Sequence, residues 1–305
     1  MISKGDKAYL EAEAKPAKYK DSRFDRLKTI YRNDQTQTVI LPTPEKVRNI
    51  YGGDVEWVDS PNQDRASVGI IYVQTLDGKA GLKAPWEARG GLTDWYHFRE
   101  ILRFNVDAVA AANNLRRGND DERPLLLSFY DPELVAYRQK TLKKSRHPLG
   151  VIVTGSGLIR NGLDHPVFQS EGRTVVFTSE EGAPNLESLA EENPNVSVET
   201  IGETPRELDM EEMLRILKSK YDVERLLALG GPGFSTELIM QGCVDNYFIN
   251  MSAALSGNKE VRSFFSDETG VHPPSELELV SLKMPKVSKS EEGKYTLYMH
   301  WTPKR

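Results

Sequence analysis

The stretch Arg225-Leu-Leu-Ala-Leu-Gly-Gly-Pro-Gly-Phe-Ser-Thr-Glu-Leu-Ile-Met-Gln-Gly242 decides the reading of this chain, because a short apolar run there meets a glycine-rich turn and then a helix start. A strand aimed through side-chain-free backbone at a helix N-terminus is how proteins cradle phosphates. Gly230, Gly231 and Gly233 admit backbone angles closed to other residues and let a ligand approach closely. Ser235 reads as the N-cap, Leu238 and Ile239 as an apolar stripe, and Gly242 as the C-terminal stop. An ordinary αβ turn has the same pattern, so the surroundings must decide.

Working outward, the same rhythm recurs on both sides. Ser67-Val-Gly-Ile-Ile-Tyr-Val73 is a β-branched run of the kind buried on both faces of a sheet, and it leads into Thr75-Leu-Asp-Gly-Lys79, where Asp77-Gly78 signals a turn. Thr93 is the expected N-cap of a helix carrying Trp95, Phe98, Ile101 and Leu102 on one stripe. Strands are expected at 106–111, 149–154, 173–178 and 196–200, with a helix starting at Asp131-Pro132 between the first two. Thr204-Pro205-Arg206-Glu207 has the form of a capping box with proline at the first helical position, followed by Met210, Leu214, Leu217 and Tyr221 at helical spacing. After Gly242 comes a strand through 246–250. Near the end, Leu297, Met299 and Trp301 alternate with Thr296, Tyr298 and His300, the period of a half-buried antiparallel strand. Strands alternating with helices predict an α/β fold with a mostly parallel central sheet, and the terminal strands predict an antiparallel edge. Residues 1–60 are loosely patterned and read as an N-terminal extension that packs onto a core or partner; 61–305 form the main domain.

Composition narrows the function classes. A chain of 305 residues with 38% hydrophobic and 28% charged residues fits a globular protein with a sizeable core. Its net charge of −5 argues against a nucleic-acid binder driven by phosphate neutralisation. The single Cys243 rules out an internal disulfide and a multi-cysteine zinc site, and it fits a reducing, cytoplasmic compartment. No apolar stretch approaches a membrane span, and the five histidines show no metal-ligand spacing.

In parallel sheets, ligands gather at the C-terminal ends of the strands. Four strands here are expected to end in small or hydroxyl residues: Ala111-Ala-Asn-Asn114, Thr154-Gly-Ser-Gly157, Thr178-Ser179 and Gly230-Gly231. One such end is a tight turn; four in succession suit an extended phosphate-bearing ligand lying across the sheet edge. Asp77 and Lys79 add a charged pair at the end of the first strand, either a solvated hairpin or a place to bind an anion and polarise a reacting group.

These motifs, in this order, resemble the reductase domain of riboflavin biosynthesis, the C-terminal half of the bifunctional pyrimidine deaminase/reductase. The matching pieces are Gln74-Thr-Leu-Asp-Gly-Lys79, Val106-Asp-Ala-Val109, Val153-Thr-Gly-Ser-Gly157, Val175-Val-Phe-Thr178, Leu229-Gly-Gly-Pro232 and Gly242-Cys-Val-Asp245. The resemblance implies a dihydrofolate-reductase-like fold and an NADPH-dependent reductase, usually a homodimer, that opens a ribosylamino pyrimidine phosphate by hydride transfer. It makes Lys79 the catalytic candidate with Asp77 as its neighbour. The cofactor candidates become Asn113, Asn114, Thr154, Ser156, Thr178, Gly230, Gly231 and Gly233. Two departures stand out: Leu229 occupies a position where the family has an acid, and Ala110-Ala-Ala-Asn-Asn-Leu115 replaces a glycine-rich turn ending in threonine. Two alternatives stay beside this reading: a pterin or folate reductase using Asp77 on the substrate ring, and a degenerate member that binds a nucleotide or partner without turnover.

Overall fold

The computed structural model describes residues 20–80, 91–112, 131–159, 168, 172–229, 232–257, 263, 276–286 and 296–304. Its strands are β1 Leu27–Arg32, β2 Val39–Leu41, β3 Val55–Trp57, β4 Ser67–Thr75, β5 Ala108–Ala112, β6 Leu149–Val153, β7 Thr174–Thr178, β8 Val196–Thr200, β9 Arg225–Ala228, β10 Asn246–Ser252, β11 Leu277–Pro285 and β12 Thr296–Pro303. The helices are α1 Glu45–Tyr51, α2 Gly91–Tyr96, α3 Pro132–Lys140, α4 Glu187–Glu192, α5 Met210–Tyr221 and α6 Pro232–Met240. A ten-stranded sheet runs in the order β1-β11-β12-β10-β4-β9-β5-β6-β7-β8. From β10 to β8 every neighbouring pair is parallel, whereas β12, β11 and β1 join antiparallel. This is the α/β sheet with an antiparallel edge that the alternating elements predict.

The central strands carry apolar side chains on both faces because helices and loops cover both. β7 is buried at all of its positions and β4 at all but two. One apolar layer gathers Ile71, Val109, Ile152 and Val176 with residues of the 20–60 segment; the other gathers Val68, Ile70, Val151 and Phe177 with Met213, Leu214 and Leu217 of α5. The 20–60 segment is thus part of the core's cover. β1 extends the sheet along β11, and Phe24, Leu27, Val47, Ile50 and Trp57 are buried. Lys46 of α1 anchors it further, its Nζ 2.8 Å from Asp131 Oδ2, which also accepts the Tyr96 hydroxyl at 2.7 Å.

Asp131 caps α3 as expected, accepting from the amides of Glu133 and Leu134. Three other helix starts differ from their sequence signals. Thr93 lies inside α2, and its hydroxyl accepts the Asp25 amide at 2.7 Å, so a distant segment has claimed the cap. Thr204 and Glu207 bond to each other at 3.0 Å, but the chain then returns to the Thr178–Ile201 region through Asp209 N to Ile201 O, and α5 starts only after Asp209, whose carboxylate accepts the Glu212 amide. Ser235 is a fully buried residue within α6, which starts at Pro232 because proline needs no partner for an N–H it lacks. Gly242 does terminate that helix, at φ +66°.

β12 alternates as expected, but its buried face is the polar one. Thr296, Tyr298, His300 and Thr302 are buried, while Leu297, Met299 and Trp301 are half-exposed. The reason is the 20–60 segment, which lies over the first face and brings Tyr51 and Trp57 to it. Tyr298 meets the edge of His97, and His300 stacks on Phe248 with ring centroids 4.4 Å apart.

Candidate active site

Strands β4, β9, β5, β6 and β7 are consecutive in the sheet and parallel, so their C-terminal ends form one continuous edge. Along it stand, in spatial order, Thr75, Ala228, Ala112, Val153 and Thr178. The four strand ends singled out from sequence are therefore neighbours, with the Lys79 hairpin beside them.

At the β4 end the chain turns tightly. Thr75 N donates to Lys79 O at 3.0 Å, Lys79 N to Thr75 Oγ1 at 3.1 Å, and Gly78 takes φ +71°. Asp77 accepts from the Thr75 hydroxyl at 2.5 Å and from the amides of Ser256 and Gly257 at 3.0 and 2.9 Å. The Thr75 hydroxyl, followed by the two amides, lowers the Asp77 pKa to about 2. Its exposed carboxylate is therefore an ionised clamp joining this hairpin to the segment after β10. Lys79 is half-buried and bridges Ser263 on that side.

At the β9 end, Leu229 N donates to Ala110 O at 2.8 Å and the Leu229 side chain belongs to an apolar cluster. Position 229 itself therefore offers no carboxylate. Gly230 and Gly231 lie outside the described residues, as do Asn113 and Asn114 beyond β5. Gly233 is exposed in the first turn of α6, and a Cβ added there would meet nothing within 4 Å. Backbone is thus open to approach at this helix start. Beneath it, burial raises the Tyr72 pKa to about 12, with Ser235 partly opposing.

At β6 and β7 two loops interlock through their backbones. Gly157 closes the 154–157 turn at φ +66°, and a Cβ there would lie 2.0 Å from the Gly182 carbonyl oxygen; at Gly155 it would lie 2.2 Å from Pro205 O. Only glycine fits either place. The hydroxyls of Thr178 and Ser179 both donate to Gly155 O, at 3.3 and 2.8 Å. Thr178 is fully buried and so braces the turn, whereas Ser156 is half-buried at its tip, where Asn185 donates to its carbonyl at 2.9 Å. Thr154 is buried and its amide donates to Phe177 O. Gly182 and Asn185 escaped the sequence reading, although Thr178-Ser179 had marked their neighbourhood.

A second group escaped it entirely. Asn250 Nδ2 donates to Asp94 Oδ1 at 2.6 Å and to His97 Nδ1 at 3.0 Å, all three side chains being buried. Asn250 Nδ2 carries two hydrogens, so His97 accepts on Nδ1 and holds its proton on Nε2. Burial lowers the His97 pKa to about 3, so the ring is neutral. The available signal was two asparagines, Asn246 and Asn250, on the same face of an otherwise apolar strand.

An α/β sheet of this topology, with glycine-bounded turns at the ends of its parallel strands, defines the dihydrofolate-reductase-like class. The chain belongs to the RibD C-terminal domain family, whose model matches residues 66–292. Its structural neighbours are riboflavin-biosynthesis pyrimidine reductases and their relatives. A pyrimidine reductase-like protein from Corynebacterium diphtheriae is 18% identical, with 79% of this chain and 92% of that one covered at a TM-score of 0.59. RibD of Acinetobacter baumannii is 16% identical over 80% of this chain and 59% of its own length, with a TM-score of 0.54. Riboflavin biosynthesis reductase Rib7 of Saccharomyces cerevisiae is 15% identical over 80% and 93%, at 0.51. At these identities the likeness shows the fold. Comparison with curated protein sequences finds no match. No helix among the described residues is long and apolar enough to cross a membrane.

Proposed function

We propose that the protein is an NADPH-dependent reductase acting on a ribosylamino pyrimidine phosphate or a related small heterocycle. The observation that carries this reading is the single edge formed by the ends of β4, β9, β5, β6 and β7, with Lys79 at one end and the glycine-bounded turns beside it. The donor set fits a dinucleotide: exposed backbone at Gly233, the Ser156 turn tip, and buried Thr154 and Thr178 that fix the turn's shape. Gly230, Gly231, Asn113 and Asn114 complete this set in sequence. Bound there, the nicotinamide supplies the hydride.

What the chain itself contributes is positioning and charge. Lys79 provides a cation to bind an anionic substrate group and to stabilise charge on the opening ring oxygen. Asp77 acts through Lys79: it pins the hairpin to residues 256 and 257 and so holds the lysine's backbone in place. With both oxygens occupied by the fold, Asp77 does not supply the ring-facing carboxylate that pterin or folate reduction calls for. Leu229 removes the acid from the β9 end, so proton delivery falls to Lys79 or solvent. That same substitution favours the second reading, a family member that binds the nucleotide without turnover.

We further propose a cytoplasmic homodimer joined through the half-exposed apolar sheet face, where Leu282 pairs with Met299, Leu279 with Trp301, and Tyr31 with Leu282. A sedimentation mass of 34.4 kDa would exclude the dimer.

Fluorescence titration with NADPH tests the reading first: saturable binding is expected, and none at millimolar cofactor would refute both reductase activities. NADPH oxidation with the ribosylamino pyrimidine phosphate then separates turnover from binding. Lys79→Ala is expected to keep the fold and cofactor binding while lowering kcat at least a hundredfold, a loss in the range of a removed charge-stabilising group.

A further inference from the structure

At the opposite edge of the sheet, where β5, β6, β7 and β9 begin, lies an open cleft of about 510 Å³. Its size falls in the range that holds a small organic ligand, about 300–1,000 Å³. Five cations line it: Arg138, Lys143, Lys144, Arg146 and Arg173. Asp107 and Asp222 are the acids of its lining, and His147 adds a titratable ring. This positive concentration sits on a chain whose net charge is −5, so it is a local construction rather than a reflection of composition.

The floor shows how the excess arises. Asp107 is committed: Lys144 lies 2.6 Å from its Oδ1, and the amides of Glu224 and Arg225 donate to Oδ2 at 3.1 and 3.0 Å. Arg138, 1% exposed, spends its guanidinium on the carbonyls of Phe104, Val106 and Ser145, none of which neutralises its charge. One carboxylate thus stands against two buried or half-buried cations. The exposed Lys143, Arg173 and Asp222 also line the cleft, and the Arg173 guanidinium lies 6.0 Å from the centre of the Tyr221 ring. Lys143 takes φ +57° in the turn that follows α3, and the basic residues 143, 144 and 146 of that turn all line the cleft.

We propose that this cleft is a second ligand site, separate from the reductase edge, that takes a small organic phosphate carrying two or more negative charges. Arg173 and Lys143 are the rim residues that meet the phosphates, and Arg138 and Lys144 set the positive potential behind them. Tyr221 offers an aromatic wall for an attached ring. A bounded cleft on an acidic protein suits a compact anion, whereas a nucleic acid would need a continuous basic track.

Calorimetric titration with pyrophosphate in the absence of NADPH provides the test, the rim variants separating this cleft from the reductase edge. Submillimolar binding is expected in 50 mM salt, weakened at least tenfold in Arg173→Ala/Lys143→Ala with an unchanged melting temperature. Arg146→Ala serves as a second variant should the double one unfold, with a severalfold loss expected. Absence of pyrophosphate binding up to 10 mM would overturn the proposal, as would equal affinity in the variants. A single-stranded RNA binding more tightly than pyrophosphate at this cleft, with the same variant dependence, would also overturn it.

Discussion

The two ends of β10 treat their buried polar groups differently. At its start, Asn246 Oδ1 accepts from Val58 N at 2.8 Å and from His300 Nε2 at 2.9 Å, while Asn246 Nδ2 donates to Val58 O at 2.9 Å. Asp245 just before it receives both guanidinium nitrogens of Arg65, at 2.9 and 3.0 Å, and the Val68 amide. Four residues along, Asn250 Oδ1 and His97 Nε2 are buried without a hydrogen-bond partner among the described residues, and so are Ser252 Oγ and Thr296 Oγ1 beyond them. Buried polar groups are ordinarily satisfied, and those that are not mark places where the fold gives up stability for another purpose. In this sheet the satisfied end holds the strand starts together, and the unsatisfied end lies toward the edge where the ligand is proposed to bind.

The largest effect should come from the satisfied end. Asp245→Ala would leave the Arg65 guanidinium buried and unpaired, which typically costs about 3–5 kcal/mol. Asn250→Ala removes a donor to Asp94 and His97 from an already incomplete network and should cost about 1–3 kcal/mol. Urea unfolding of both variants measures the difference directly. Equal losses would break the comparison, because the two ends would then contribute alike.

Acidification probes both ends at once, since each holds a buried neutral histidine. Burial lowers the pKa of both His97 and His300 to about 3 from the ordinary 6.5. Between those values the unfolded chain binds the extra proton and the folded one does not, so stability falls as pH drops below 6.5. The slope approaches about 1.4 kcal/mol per pH unit for each histidine. Unfolding midpoints measured from pH 7 to pH 5 should fall accordingly. His300→Gln keeps an amide donor for Asn246 and removes one titration, which should lower the slope by about 1.4 kcal/mol per pH unit, while buried Glu100, its pKa raised to about 8, opposes the histidines equally in both proteins; an unaltered slope would show that His300 is not buried neutral.

How much of this was legible in sequence follows from the range of each interaction. Strands such as β7, found within the expected residues 173–178, declare themselves because burial on both faces favours a run of apolar and β-branched residues. The shared edge of strand ends was legible because parallel strands put their C-terminal turns side by side, and Lys79, Ser156 and Gly233 each follow a readable strand. Caps were less so, because Thr93 and Thr204 carry genuine local signals that hydrogen bonds from Asp25 N to Thr93 and from Asp209 N to Ile201 O override. The buried face of β12 depends on what residues 20–60 cover, and alternation alone does not say which side that is. The Asn250–Asp94 bond joins residues 156 positions apart, beyond any local pattern.

The smallest change in stability, and the sharpest test of the comparison, belongs to Gly233→Ala. A Cβ there meets no atom within 4 Å, and Gly233 has no positive φ to lose, so neither clash nor backbone strain opposes alanine. Alanine also lowers the entropic cost of holding this position in α6, by up to about 1 kcal/mol. If the helix start were only an αβ turn, the variant would match or exceed the wild type in every respect. If it receives the cofactor diphosphate, the added methyl occupies the space that glycine left open to the ligand. The expected result is an unchanged or slightly raised melting temperature together with an NADPH affinity reduced at least fivefold. Unchanged affinity would remove Gly233 from the cofactor site and leave Gly230 and Gly231 to carry the contact, because it would show that the open backbone at the start of α6 is not where the diphosphate lies.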